Sequence, residues 1–375
     1  MPISLSEVKT KKDLRKFIRF PLKLYKDNPY YVPALLSDEI KTLHPDKNPA
    51  FDHSEARYWL AEEHGEIVGR VAAIINHRHI EKWKQPYMRF SWLDFIDDQR
   101  VSSALLSAVE NWAVERGMTA IHGPLGFTDL DREAMLVEGF NELATMATNY
   151  NYPYYPEHMT ALGFIKDIDW IEFEFLVPEK LDPRITRAAK IVLKRNNLRL
   201  ADYDKKRDII RYAPQLFELI NSEYSHIYGS TPLSESEIEH YTQAYFGFVH
   251  PDFVPFILDK NDQMVAFGVV IPSLSKALQK CRGRLFPFGW WQLLRALRKN
   301  NRADLYLIAV KKKYRGRGLN MVLMDHICNV FNQRGIQHVE TNPELETNRD
   351  VQSQWKTLDK RQHKRRRCFI KHLSQ

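Results

Sequence analysis

The 375-residue sequence has few cysteines and no long apolar run. Its three cysteines, Cys281, Cys328 and Cys368, are odd in number and far apart along the chain. This spacing argues against a disulfide framework and against cysteine-based metal sites, so we predict no metal centre. No uninterrupted apolar stretch approaches the roughly 20 residues that span a bilayer, and residues 1–20 lack the apolar segment of a secretory signal. We therefore expect a cytoplasmic protein.

Acidic residues are missing between Lys276 and Arg302, a stretch that holds eight basic residues. A second stretch, from Lys356 to Lys371, holds eight basic residues and a single acid. The two stretches carry +8 and +7, whereas the whole chain carries only +8, so the remainder is net negative. Concentrated positive charge attracts phosphate groups, whether on a cofactor, a nucleic acid or a membrane surface.

The chain contains the same order of predicted elements twice. Its length predicts two domains, and each half reads as helix, hairpin, strand, helix, strand, helix and strand. An apolar stripe at helical spacing marks 101–116 in the first half and 319–333 in the second. This repetition predicts a tandem duplication, with domains at 1–177 and 198–375 joined by a connecting segment at 178–197.

The most informative stretch is Leu305 to Asn320, in which a buried strand enters a turn rich in glycine and arginine and a helix follows at once. Glycines allow a ligand to approach the backbone, and the first N–H groups of a helix are unsatisfied. The helix dipole also favours anions. Because Arg315 and Arg317 can pair with phosphate oxygens, we predict a diphosphate site here.

This stretch resembles the acyl-CoA-binding motif of the GNAT superfamily of N-acyltransferases, in which Arg or Gln, two residues, Gly, one residue and Gly or Ala follow the central strand. Arg315 and Gly318 match the first two fixed positions, whereas Asn320 stands where Gly or Ala is usual. The resemblance implies acetyl-CoA or another acyl-CoA as co-substrate. It also implies an α+β fold of two tandem GNAT-like domains, each a mixed, mostly antiparallel sheet flanked by helices. The implied cofactor contacts are Ile308, Ala309, Val310, Arg315, Gly316, Arg317, Gly318, Leu319, Asn320 and Asn348.

The catalytic residues follow the family less closely. GNAT enzymes commonly place a tyrosine seven residues beyond an asparagine to protonate the leaving thiolate. Counting from Asn348, that position is Trp355, whose indole N–H can only donate a hydrogen bond and cannot act as a general acid. The ionisable candidates near the motif are Asp304, Tyr306 and Glu340, of which we predict Tyr306 and Glu340 as acid or base.

The first half has no counterpart of the glycine turn. Asp97 and Asp98 precede its helix at 101–116, and two carboxylates would repel a diphosphate. We therefore expect 1–177 to be a degenerate GNAT-like domain without CoA binding. A retired copy beside an active one is similar to the arrangement in Fem-type peptidyltransferases.

Residues 275–302 form an insertion relative to the family's minimal pattern. Within it, 284–299 combines aromatic residues and leucines with arginine and lysine. Two interpretations are a helix packed over the acceptor cleft, with its tryptophans in the core, and an amphipathic helix on an anionic membrane surface. A third is a contact with single-stranded RNA, but no RNA-binding motif appears, so nucleic acid is not the expected partner.

Three functional hypotheses follow. The first is an N-acyltransferase that moves an acyl group from acyl-CoA to an amine on a small molecule or peptide. The second is a non-catalytic acyl-CoA-binding protein, which Trp355 favours. The third is a Fem-like peptidyltransferase that uses aminoacyl-tRNA, favoured by the duplication and the basic stretches. The intact Arg-Gly-Arg-Gly turn at 315–318 favours CoA over tRNA.

Overall fold

The computed structural model describes residues 3–203, 205–246, 249–355 and 358–373. The strands are β1 (Ser4–Glu7), β2 (Ser54–Glu63), β3 (Glu66–Asn76), β4 (Tyr87–Phe95), β5 (Ala120–Gly123), β6 (Met135–Glu138), β7 (Ile165–Leu176), β8 (Arg199–Leu200), β9 (Phe256–Leu258), β10 (Met264–Pro272), β11 (Arg302–Val310), β12 (His338–Thr341), β13 (Glu344–Leu345) and β14 (Lys360–His372). The α-helices are α1 (Lys11–Leu24), α2 (Leu36–Thr42), α3 (His77–Trp83), α4 (Gln99–Glu115), α5 (Tyr154–Ala161), α6 (Pro183–Asn196), α7 (Lys206–Ile210), α8 (Ala213–Glu223), α9 (Glu235–Tyr245), α10 (Ser275–Cys281), α11 (Gly289–Arg298), α12 (Leu319–Arg334) and α13 (Arg349–Gln352).

The chain forms two compact units, each discontinuous in sequence. Unit 1 comprises Met1–Ile171, Ser275–Gln292 and His363–Gln375, and unit 2 comprises Glu172–Leu274 and Leu293–Gln362. Residues 275–292 and 363–375 thus belong to the same unit as the N-terminal half. The sequence pattern did not predict this. The prediction that 1–177 and 198–375 arose by tandem duplication remains a hypothesis about the origin of the chain.

Unit 1 is built on a sheet in the order β1-β2-β3-β4-β5-β14-β7. The pairs among β1 to β4 are antiparallel, whereas β4 and β5 run parallel. Helix α4 covers the sheet with Leu105, Leu106 and Val109, each at most 1% exposed, and these residues recur at the spacing of one helical face. The amphipathic pattern at 101–116 therefore predicted this helix correctly.

Unit 2 contains a sheet in the order β7-β12-β11-β10-β9-β8, in which the pair β11–β12 is parallel. Helix α12 packs its Val322 and Leu323 against Ala189 of α6 and against strands of the sheet. The segment predicted as a connection at 178–197 therefore contains a helix that belongs to this core. Each unit has a mixed, mostly antiparallel sheet flanked by helices, which confirms the predicted fold class.

The basic run at the C-terminus lies within β14, which begins at Lys360. Side chains alternate between the two faces of a strand. Lys364 and Arg366 lie on a buried face, with exposures of 1% and 0%, and Arg366 donates to the backbone oxygen of Asn149. This part of the predicted phosphate-attracting patch is therefore interior, which corrects the interpretation of 356–371 as an exposed charged surface.

The other face of β14 is paired with carboxylates, of which Asp169 of β7 is the most buried. Its carboxylate lies 2.8 Å from Arg367 Nε, 3.2 Å from Arg365 Nη1 and 3.2 Å from Lys166 Nζ, and its side chain is 1% exposed. A buried charge is stable only when it is paired and hydrogen-bonded. This carboxylate therefore allows a strongly basic strand to lie inside unit 1.

We predict that Asp169→Asn destabilises the protein by about 3 kcal/mol at pH 7, because two arginines then lose their buried partner. Burial raises the pKa of Asp169, but hydrogen bonds from Arg367 and Lys166 outweigh that effect and lower the pKa below its ordinary value. The stabilisation is therefore present above about pH 4 and is lost as the pH falls further. Thermal unfolding followed by circular dichroism at pH 7 and pH 3 tests this.

The control is Asp262→Asn, which removes the exposed partner of Arg199. Exposed ion pairs contribute about 0–1 kcal/mol, so this variant should unfold close to the parent protein. Equal losses for Asp169→Asn at both pH values would contradict the assignment of Asp169 as a buried counter-ion.

Candidate functional site

The central strands of unit 2 part from each other halfway along β11. Strand β12 pairs with β11 only from Arg302 to Leu305, whereas β10 follows β11 as far as Val310. The register of the β10–β11 pair shifts at Val269/Val270, which leaves Tyr306 as a bulge on β11. From Leu305 to Ile308 the strand is only half-buried. One edge of β11 is thus open where the two strands diverge.

Polar groups hold the point of divergence. The backbone N–H of Asn342 donates to Leu305 O at 2.9 Å, and its side-chain Nδ2 donates to Tyr306 O at 3.1 Å. Further along β11, the Tyr224 hydroxyl donates to Ile308 O at 2.9 Å. The carbonyl of Ile308, one of the predicted cofactor contacts, therefore already has a donor. Asn342 and Tyr224 keep β11 extended beyond its pairing with β12.

The glycine turn after β11 leaves the start of α12 open. Gly316 and Gly318 have φ values of 72° and 85°, a left-handed conformation that glycine adopts without strain. A Cβ atom on Gly318 would also lie 3.0 Å from Val192 Cγ2 of α6. Gly318 is the N-cap of α12, and no side chain in the described part of the chain caps this helix. Its first N–H groups are consequently available to an anion.

The two arginines of the turn have different surroundings. Arg315 Nη2 lies 2.6 Å from Glu223 Oε2, and Glu223 Oε1 accepts from the backbone N–H of Lys312 at 3.0 Å. Glu223 therefore fixes the turn and offsets the charge of Arg315. Arg317 is exposed, and its guanidinium lies 5.6 Å from the Tyr314 ring and 3.4 Å from Asn196 Oδ1. Among the two, Arg317 has the cation better placed for a phosphate.

Asn320, where the family usually has glycine or alanine, lies in the first turn of α12. Its Oδ1 is buried and has no hydrogen-bond partner among the described residues. An amide side chain in this state offers an orientation-dependent polar contact beside the helix N-terminus. The departure from the motif thus places a polar group next to the open N–H groups of Leu319 and its neighbours.

Unit 1 has the same strand, turn and helix order, but its site is closed. The side chain of Asp98 caps α4 by accepting from the backbone N–H of Arg100 at 2.8 Å. At the end of β4, the Phe95 carbonyl accepts from the Tyr154 hydroxyl at 2.6 Å, and the Phe95 N–H donates to the Tyr155 hydroxyl at 3.0 Å. A carboxylate thus caps α4, and two tyrosine hydroxyls hydrogen-bond the backbone of Phe95 at the end of β4.

Part of the chain matches a known protein family. Residues 213–355 match the acetyltransferase (GNAT) family. This range includes the parted strands, the glycine turn and α12. We refer to this matched range, residues 213–355, as the GNAT domain. The solved structure of a tandem GNAT protein from the clavulanic acid biosynthesis pathway resembles the whole chain, with a TM-score of 0.58 at 12% identity over 100% of this chain and 99% of that protein. The chain therefore has a tandem GNAT fold.

Other proteins are similar over nearly the full length. Protein YghO of Escherichia coli (strain K12) is 29% identical over 373 residues, which is 97% of this chain and 94% of that protein. The bacterial ceramide synthase of Caulobacter vibrioides (strain NA1000 / CB15N) is 26% identical over 362 residues, which is 92% of this chain and 91% of that protein. The solved structure of the GCN5-related N-acetyltransferase from Sphaerobacter thermophilus has a TM-score of 0.51 at 10% identity. The similarity covers 98% of this chain and 95% of that protein.

The structure gives the surroundings of three residues that the sequence predicted to act in catalysis or cofactor contact: Tyr306, Glu340 and Asn348. Glu340 lies in the paired part of β12, and its Oε1 is 3.3 Å from Arg302 Nη1. The side chain of Asn348 caps α13 by accepting from the backbone N–H of Val351 at 3.3 Å. The bulge places Tyr306 at the divergence of the strands. The roles of Tyr306 and Glu340 in acid–base chemistry, and of Asn348 in cofactor contact, remain predictions.

A carboxyl that sequence reasoning missed lies just beyond the point of divergence. Glu344 follows Asn342 by two residues and is 9% exposed. Its Oε1 accepts from Trp355 Nε1 at 2.7 Å, and the Thr341 side chain is a second hydrogen-bond partner of the carboxylate. Burial raises the pKa of Glu344 to about 7, although the hydrogen bond from Trp355 favours the ionised form.

Trp355, which the count from Asn348 places at the family's tyrosine position, is buried beside Glu344. It is 2% exposed and stacks on Phe175, with ring centroids 5.7 Å apart. Its indole N–H orients Glu344 rather than facing an open cleft. No local motif surrounds Glu344, so the only signal in the sequence is the tryptophan at the tyrosine position.

We predict that Glu344→Gln becomes more stable relative to the parent protein as the pH rises. The folded pKa of about 7 lies above the ordinary value of 4.5, so the parent's stability is full below about pH 4.5 and is lost as the pH rises through 7. Glutamine is neutral throughout and avoids this loss, which amounts to about 3 kcal/mol.

Urea unfolding of both proteins at pH 5 and pH 8 measures this difference. The change between the two pH values is informative, because any effect of glutamine on packing is common to both. A stability difference that does not change with pH would mean that Glu344 ionises normally in the folded protein.

Proposed function

We propose that the protein is an acyl-CoA-dependent N-acyltransferase whose single cofactor site lies in the GNAT domain. The observation that carries the proposal is the combination of the parted strands β11 and β12 with the uncapped N-terminus of α12. CoA joins an extended pantetheine arm to a diphosphate. The open edge of β11 would bind the arm, and the neighbouring N-terminus of α12 would bind the diphosphate. Unit 1, with Asp98 and its tyrosines at the equivalent positions, would not bind CoA.

In this proposal, different groups of the chain bind different parts of CoA. The N–H groups of Gly316, Gly318 and Leu319 hold the diphosphate, with Arg317 adding a charge-assisted contact. Glu223 keeps the turn in shape through Arg315 and the Lys312 amide. The open edge of β11 around Ala309 and Val310 pairs with the pantetheine arm. The acyl thioester then lies near Tyr306 and Asn342, where the strands diverge.

Glu344 is the general base of the proposed reaction. The neutral amine attacks the thioester carbonyl, so a C–N bond forms and the C–S bond breaks. Attack makes the amine nitrogen more acidic, and the carboxylate of Glu344 accepts its proton. The same proton then neutralises the departing CoA thiolate. A base with a pKa close to the working pH is well suited to both transfers.

The acceptor that we propose is an amine with a long hydrocarbon chain. The relative from Caulobacter vibrioides bears the name bacterial ceramide synthase, and ceramide is the amide of a fatty acid with a long-chain amino alcohol. The proposal rests on this similarity, at 26% identity over 92% of the chain. A series of primary amines with increasing chain length, each tested for CoA release, distinguishes a lipid acceptor from a small polar one.

We predict that Arg317→Glu weakens acyl-CoA binding at least several-fold. A charge-assisted hydrogen bond contributes about 1.5–3 kcal/mol, of which solvent around the exposed side chain removes a part. Isothermal titration calorimetry with acetyl-CoA and palmitoyl-CoA measures the change. The matched control is Arg334→Glu at the opposite end of α12, where Arg334 pairs with Asp252. Equal affinities for the two variants would place the diphosphate elsewhere.

We predict that Glu344→Gln slows acyl transfer by about 10²–10⁴-fold, the usual contribution of acid–base assistance, without weakening acyl-CoA binding. The parent's kcat/KM should rise with pH through about 7, because Glu344 must be ionised. This limb should be absent in Glu344→Gln. In Trp355→Phe it should shift to higher pH, because the carboxylate loses its hydrogen-bond donor.

Other outcomes would favour the alternatives. Loss of the pH limb in Glu340→Gln, with the limb intact in Glu344→Gln, would transfer the role of base to Glu340. Acyl-CoA binding without CoA release for any amine would support a non-catalytic acyl-CoA-binding protein. Transfer from aminoacyl-tRNA in place of acyl-CoA would support the Fem-like alternative.

A further inference from the structure

Large apolar side chains are exposed together in residues 282–299, which we call the aromatic surface. The exposed fractions are 80% for Phe286, 71% for Phe288, 47% for Trp290, 51% for Trp291 and 45% for Leu294. Single exposed apolar residues are common on proteins, but contiguous ones mark interaction sites. The sequence alternative that buries these tryptophans in a core is therefore wrong.

Helix α11 explains how the aromatic surface is formed. At about 100° per residue, Trp290, Trp291 and Leu294 fall on one side of the helix together with Arg298. Leu293 is only 2% exposed and faces the protein. A surface helix normally presents polar side chains outward. Here the buried face and the solvent-facing side both carry large apolar groups.

The charges around the aromatic surface select its partner. Between Lys276 and Arg302 the sequence has no acidic residue, and Arg282, Arg284, Arg298 and Lys299 are exposed. Aromatic and leucine side chains at the level of the headgroups, with arginines beside them, are typical of helices that lie in a bilayer interface. Basic residues close to an anionic leaflet are attracted to its lipid phosphates. The composition therefore complements an anionic lipid surface.

The segment that leads into the aromatic surface is anchored in unit 1. Gln279 Nε2 donates to Pro29 O at 2.8 Å and to Tyr31 O at 2.9 Å, and the Leu36 N–H donates to Gly283 O at 2.9 Å. Gly283 has a φ of 68°, and a Cβ there would lie 2.1 Å from Ala34 O. Such contacts fix the loop that carries Phe286 and Phe288, so their exposure is a feature of the fold.

We propose that the aromatic surface docks on an anionic phospholipid bilayer, with its apolar side chains in the headgroup region and its arginines against lipid phosphates. Among the described residues, no helix is both long and apolar enough to cross a bilayer, so the attachment is to one leaflet. This surface goes beyond the proposed function, since it needs neither CoA nor an amine. It would bring the GNAT domain to amines that reside in a membrane.

Vesicle co-sedimentation tests the proposal with the full-length protein. We expect binding to vesicles of phosphatidylcholine and phosphatidylglycerol at 3:1, and much weaker binding to phosphatidylcholine alone. The double variant Phe286→Ser/Phe288→Ser should bind at least tenfold more weakly, because two large apolar side chains are then no longer buried in the headgroup region. Arg284→Glu/Arg298→Glu should lose the preference for phosphatidylglycerol and its sensitivity to salt.

The matched control is Val114→Ser/Ile165→Ser, which alters side chains that are each 59% exposed elsewhere on unit 1. This variant should bind vesicles like the parent. Failure of the parent to bind phosphatidylglycerol vesicles, or equal binding by the phenylalanine variant, would overturn the proposal. A concentration-dependent dimer in sedimentation velocity that the phenylalanine variant abolishes would assign the surface to a second copy instead. Acyl transfer to a short, water-soluble amine is measured separately, so loss of the proposed activity is distinguishable from loss of membrane binding.

Discussion

The separation of β11 from β12 after Leu305 is the constraint on which the candidate site depends. Backbone groups at a strand edge must find partners, and here Asn342 and Tyr224 satisfy only some of those that β12 leaves. The bulge at Tyr306 coincides with the divergence, so the strand turns away at the same residue at which its neighbour departs. An open strand edge beside an uncapped helix suits an elongated ligand with an anionic end.

The two units show how small local differences decide whether such a site is open. Both have a pair of parallel strands connected by a helix: α4 connects β4 to β5, and α12 connects β11 to β12. In unit 1 the N-cap is Asp98, whose carboxylate satisfies the helix N–H groups and repels anions. In unit 2 the N-cap is Gly318, which has no side chain. One residue type at the N-cap thus separates a self-capped helix from a helix whose first N–H groups have no side-chain cap.

Charge in this protein acts mostly through its location. Arg366 and Lys364 are buried within β14, Arg315 is paired with Glu223, and Asp169 pairs with two further arginines. The net charge of +8 therefore says little about the surface. The exposed cations that remain near large apolar side chains are in residues 282–299, where a lipid surface would use both.

Local patterns determined much of the fold from the sequence alone. Apolar spacing predicted α4 and α12, and the Arg-Gly-Arg-Gly turn predicted the open helix N-terminus, because these signals act within a few residues. The tertiary structure decided the burial of the basic strand, the exposure of Trp290 and Trp291, and the clustering of 275–292 with unit 1. It also decided the pairing of Glu344 with Trp355 and its raised pKa. Burial and pairing arise from residues distant in sequence, and a carboxyl's proton affinity depends on its surroundings rather than on its neighbours in the chain.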